Sequence, residues 1–116
     1  MKPMIELLIG DEIFYIKNAN RFISRFCGLM FKKSLDRNAG LLLVPCSSIH
    51  MFFMRFAIDA VYLDRSFRVV GKETISPWRI GKLFKGTHAV LELPAGRASG
   101  IQIGDLLPLG TEIPPK

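Results

Sequence analysis

At 116 residues and a net charge of +6, with 49% hydrophobic and 22% charged side chains, the chain has the size and balance of one globular domain, residues 1–116, rather than of a disordered segment. Its longest purely apolar run, "LLLVP" at Leu41 to Pro45, is far below the roughly 20 residues that span a bilayer, so no membrane span is expected. The opening "MKPMIELLIGDE" has one Lys, an apolar patch broken by Glu6 and no small-residue cleavage site, so it fails as a signal peptide. The sequence as it stands therefore reads as cytoplasmic, with Cys27 and Cys46 reduced.

In chain order, "MIELLIGDEIFYIKNAN" reads as a hairpin, with Gly10 free to take the positive φ that a tight turn demands. From Asn20 the period changes: Phe22, Ile23, Phe26, Cys27 and Met30 fall at helical spacing, which predicts a short helix over Arg21 to Met30. "KKSLDRNAG" is a loop and "LLLV" a buried strand stopped by Pro45. "AVYL" (Ala60 to Leu63) and "FRVVGKETI" (Phe67 to Ile75) predict an antiparallel pair, because only Asp64, Arg65 and Ser66 join them. "SPWRIGKLFKGT" is a loop long enough to suspect function, "HAVLELPAG" a strand ending at Pro94, and "IQIGDLLPLG" a last strand or pair of strands. Many short strands, one early helix and no βαβ rhythm predict a mainly β fold, a small antiparallel barrel or sandwich covered by that helix.

The chemistry-bearing side chains concentrate in "CSSIHMFFMRFAIDAVYLD", Cys46 to Asp64. Strand alternation puts Asp59 on the same face as Val61 and Leu63, so if those two face the core the carboxylate points inward as well. An inward charge needs a partner, and Arg55 is the nearest cation in sequence. The pair either holds the loop or lines a pocket mouth in which Arg55 fixes an anionic ligand. Cys46 and His50 stand four apart, which is compatible with a nucleophile and its base. A metal site would want three or four ligands, and with His88 the only other histidine no metal or cofactor is expected. Ser47 and Ser48 read as turn formers, and "FFM" with Met51 and Phe56 as core. Trp78, beside Arg79 in the loop, is either a lid that stacks on a ligand or a plug over the core. The basic residues between Lys17 and Arg37 and between Arg65 and Lys85 permit an acidic partner, but no helix-turn-helix, OB or RNA-recognition signature supports nucleic acid.

Taken together, "RFCGLMFKKSL", "GLLLVPCSSIHMFFMRFAIDAVYLD", "FRVVGKE", "PWR", "AVLELPAGRA" and "GIQIGDLL" resemble the uncharacterised family called domain of unknown function 192. The resemblance implies a compact, mainly β fold with a short helix, in exported and cytoplasmic forms, and brings no established reaction. By matching positions it singles out Arg25, Gly28, Met30, His50, Met54, Asp59, Glu92, Gly96, Gly104 and Asp105. This chain departs from the pattern with Met51 where Thr is common, Ala57 where Pro is common and Ser66 at a turn that usually carries Gly. The leading expectation is a module that binds a small or anionic ligand at one end of the barrel, through Cys46, His50, Arg55, Asp59, Trp78 and Arg79. The alternatives are an enzyme that uses Cys46 or His50 with Asp59 orienting the imidazole, and an interaction module for an acidic partner.

Overall fold

The structure, a computed structural model, describes residues 4–18 and 36–109. Six strands, β1 (Met4–Ile9), β2 (Glu12–Asn18), β3 (Ala39–Leu43), β4 (Ile58–Leu63), β5 (Val69–Ile75) and β6 (Ala89–Pro94), form one sheet in the order β1-β2-β3-β6-β4-β5. The expected hairpin is present: Leu8 faces Ile13 and Ile9 faces Glu12 across a turn where Gly10 takes a φ of 64°. Its strands bury every second residue, as the alternation requires, with Ile5, Leu7, Ile9, Phe14 and Ile16 inside. The antiparallel pairing of β4 with β5 also agrees with the sequence, Asp59 lying opposite Thr74 and Val61 opposite Lys72.

The expected barrel is not formed. β2 and β3 pair in parallel while the other neighbours are antiparallel, and β1 and β5 stand at opposite edges of an open mixed sheet. Counting short strands cannot show this, because closure depends on whether the two outer strands meet, and that is a non-local property. The expected last strand is reduced to one bridge between Arg68 and Leu106. The amide of Asp105 donates to the Gln102 carbonyl and the Asp105 carboxylate accepts from the Gln102 amide, so this stretch closes on itself as a turn. The helix expected over Arg21 to Met30, and Cys27 with it, lies outside the described residues. Among the described residues no helix is long and apolar enough to cross a membrane.

Both faces of the sheet are covered, which explains why β4 is buried along its whole length and reads as a nearly continuous apolar run. On the first face Phe14, Ile16, Val61, Leu63, Leu91 and Leu93 pack beneath Ala98, Ile101, Leu107 and Leu109 of the C-terminal stretch. On the second, Leu41, Leu43, Ala60, Tyr62 and Val90 pack with Met51 and Met54, and with Ile49, Phe56 and Phe84 from the two long loops. Gly71 is fixed by this packing, because a β-carbon there would collide with the Phe84 ring, which itself lies 4.6 Å from Tyr62.

Candidate functional site

The two long loops, 44–57 and 76–88, are joined edge to edge. The Met51 amide donates to the Arg79 carbonyl at 2.7 Å, the Trp78 amide to the Met51 carbonyl at 2.7 Å and the Gly81 amide to the Ile49 carbonyl at 3.0 Å. His50 and Ile80 form the antiparallel bridge between them. Met51 and Met54, only 1% and 6% exposed, anchor this platform in the second core. The residues between and beside them turn outward, and their rings form a ladder: His50 to Phe52 at 4.6 Å, Phe52 to Trp78 at 6.0 Å, Trp78 to Phe53 at 4.9 Å.

The outer rings are exposed, Phe53 at 49% and Trp78 at 58%. Phe53 and Trp78 also hold φ values of 67° and 68°, a left-handed conformation costly for bulky side chains, shared among the described residues by Phe67 at 66° in the β4–β5 turn. Arg55 and Arg79 are exposed beside them, with Lys82 and Lys85 following. Neither 49–57 nor 76–87 contains an Asp or a Glu, and the Glu73 carboxylate of β5 meets these segments at the Lys82 amide, so the positive charge of Arg55 and Arg79 has no carboxylate within its own loops. The structure thus brings His50, Trp78 and Arg79 together through the paired backbones of the two loops, and Arg55 is exposed two residues beyond Phe53. It divides "FFM" as well: Met54 is core, as expected, whereas Phe53 is surface.

Asp59 belongs to a different site. It points inward, 6% exposed, but Arg55 is not its partner; the ion pairs among the described residues are those of Glu12 with Arg37 and Arg97. Instead the Thr74 hydroxyl donates to Asp59 Oδ1 at 2.7 Å and the Ala98 amide to Oδ2 at 2.9 Å. Lys72 Nζ completes the arrangement by donating to the Ala98 and Ile101 carbonyls at 3.0 and 2.6 Å. Asp59 and Lys72 therefore hold the two polar ends of one residue and seat the 95–101 turn, beside a cleft of about 290 Å³ that also exposes Thr74, Gly96 and Ser99. Because Asp59 shares the Val61 face while the His50 loop lies over the Tyr62 face, the carboxylate does not orient the imidazole; His50 Nδ1 accepts from the Phe52 amide at 3.3 Å.

Cys46 is partly buried, its thiol donating to the Ser48 carbonyl at 3.2 Å and its amide to the His88 carbonyl at 2.7 Å. A hollow of about 210 Å³ is lined by Pro45, Cys46, Ser47, Thr87 and His88. Residues 46–50 are not helical, so the four-residue spacing does not place Cys46 and His50 on one helix side. Among the described residues no three His, Cys, Asp or Glu side chains converge as metal ligands would.

One group was reached in the sequence only through the family resemblance. Glu92 lies opposite Ala60 and Leu41 on the second face, 7% exposed, and burial pushes its carboxyl up to about 7. Across Ala60 from it stands Glu73, which accepts from the Tyr62 hydroxyl at 2.6 Å and from the Lys82 amide at 2.7 Å. Burial first, then this bond to Glu73, holds the Tyr62 phenol well above its ordinary range. The signal in the sequence was alternation in "AVLELP", which puts Glu92 on the Val90 side, but only knowledge that this side is also covered makes it a buried acid.

Comparisons with known proteins agree with this architecture. The family model described as "Uncharacterized ACR", DUF192, matches residues 6–109. A UPF0127 protein from Thermococcus kodakarensis is 37% identical over 79% of this chain, which spans 62% of that relative's length. Another, from Pyrococcus horikoshii, is 39% identical over 75% of this chain and 78% of its own. In three dimensions the chain is similar to a protein of unknown function from Novosphingobium aromaticivorans, with a TM-score of 0.77 and 23% identity over 90% of this chain and 84% of that one, a likeness of fold alone.

Proposed function

Since the chain belongs to the DUF192 family, whose description carries no activity, we propose a function from the site itself: a module that binds a small anionic ligand with a flat ring at the aromatic end. The observation that carries this reading is Trp78, 58% exposed, held in a left-handed backbone and packed 4.9 Å from Phe53. Exposing a large apolar ring has a cost, as does the backbone it sits on, and both are repaid when a ligand's ring covers the indole. The exposed guanidiniums of Arg55 and Arg79 supply planar, permanently charged donors for the ligand's anionic group. Cys46 and Asp59 are not part of this site: one is engaged at the His88 hollow and the other seats the 95–101 turn.

Trp78 is the single tryptophan of the chain, so its fluorescence reports on this site alone. Titration with phenyl phosphate gives a saturable change, inorganic phosphate a weaker one, and Arg79→Ala together with Arg55→Ala removes both. A linear, unsaturable response to phenyl phosphate would refute the reading.

A further inference from the structure

We infer that the aromatic end takes single-stranded nucleic acid, with bases stacked against the ladder of His50, Phe52, Trp78 and Phe53 and phosphates on Arg55, Arg79 and Lys82. This inference rests on the reading of that end as a site for flat anions, and extends it from one ring to several. Phe52 is stacked between His50 and Trp78 at 4.6 and 6.0 Å and holds them in place, while His50, Trp78 and Phe53 are exposed, so the outer rings offer more than one surface to unpaired bases. Repeated π-faces beside cations are the platform on which successive unpaired bases stack.

The charge pattern fits the same partner. The paired segments 49–57 and 76–87 carry Arg55, Arg79, Lys82 and Lys85 with no carboxylate of their own, Glu73 of β5 meeting them at the Lys82 amide, on a chain whose net charge is +6. A phosphodiester backbone brings one negative charge per base and so matches rings and cations in alternation. An acidic peptide answers the cations but offers no regular series of rings to the ladder. A duplex keeps its bases stacked within itself, leaving only phosphates for the cations. The same two segments contain no Asn or Gln, the side chains that pair with the adenine edge, and stacking on aromatic rings is tolerant of base type, so binding discriminates weakly among sequences.

The test is anisotropy of a labelled twelve-nucleotide oligothymidylate with the full chain at low salt, repeated with a mixed-sequence strand, its duplex and polyglutamate, beside the phenyl phosphate titration of Trp78 fluorescence. The single strands bind with similar affinity, the duplex and polyglutamate more weakly, and affinity falls as salt rises. Trp78→Ala weakens single-strand binding by about ten- to a hundredfold, with the salt slope retained, and Trp78→Phe restores most of it. Arg55→Ala and Arg79→Ala each reduce the salt slope by about 0.7. Thermal melting of each variant confirms the fold, as these are exposed loop positions. Phenyl phosphate binding without oligonucleotide binding would overturn this inference and leave the small-ligand reading standing; loss of both would overturn the two together. Tighter binding of polyglutamate or of duplex, or a Trp78→Ala variant that binds like the parent, would overturn the nucleic-acid assignment.

Discussion

The buried carboxylates on the two faces of the sheet, Asp59 and Glu92, are held in opposite ways. On the first, Asp59 accepts from Thr74 and Ala98 while Lys72 donates to Ala98 and Ile101, so a buried charge serves to fasten the C-terminal stretch. On the second, Glu92 is buried with no hydrogen bond or charge from the described residues offsetting its desolvation, and the loops that cover this face end in exposed rings on left-handed backbone. Polar groups that satisfy one another mark structure; those left costly mark places where the fold tolerates expense for another reason.

Glu92 gives the largest test of that contrast. Its folded value of about 7 lies above the ordinary 4.5, so the fold favours the neutral acid. Stability is therefore full below about pH 4.5, falls as pH rises, and levels off above about 7, a loss of about 3 kcal/mol at 1.36 kcal/mol per unit. Glu92→Gln removes this dependence, and at pH 8 urea unfolding shows the variant more stable than the parent. Equal stability of parent and variant across that range would mean Glu92 finds a partner when ionised.

Asp59→Ala is expected to cost about 2 kcal/mol, because the Ala98 amide is left buried without an acceptor. Asp59→Asn keeps one acceptor and loses about half as much, and neither variant changes phenyl phosphate binding. A binding defect with unchanged stability would move Asp59 from the structural face to the ligand. The smallest effect is on stability at Trp78: Trp78→Gly relieves left-handed strain of about 1 kcal/mol but gives up the ring contacts with Phe52 and Phe53, so urea unfolding changes by less than about 1 kcal/mol while the ligand response is abolished. A retained ligand response would separate the strain from the site.

Local patterns revealed the strands of this sheet and misled on its assembly. Alternation in "MIELLIGDEIFYIKN" and the short link between Leu63 and Val69 were sufficient for the hairpin and the β4-β5 pair. The parallel pairing of β2 with β3, which accompanies the open sheet, joins residues such as Tyr15 and Ala39 that no periodicity connects. The site was legible to the same extent. Trp78, Arg79 and His50 drew attention as residue types, but their meeting depends on the Met51 to Arg79 and Gly81 to Ile49 hydrogen bonds between loops far apart in sequence. Proximity in the chain pairs Arg55 with Asp59, whereas strand alternation commits Asp59 to the side where the Thr74 hydroxyl and the Ala98 amide lie.

The distinction between a fastened face and a receiving end is tested most directly by following backbone and indole N–H resonances through a phenyl phosphate titration of the isotopically labelled chain. Saturable shifts are expected at the Trp78 indole and at the Phe53, Trp78 and Arg79 amides, with Thr74 and Ala98 unmoved. Shifts centred on Thr74, Ala98 and Ser99, with the Trp78 indole unchanged, would contradict it and place the ligand in the Asp59 cleft.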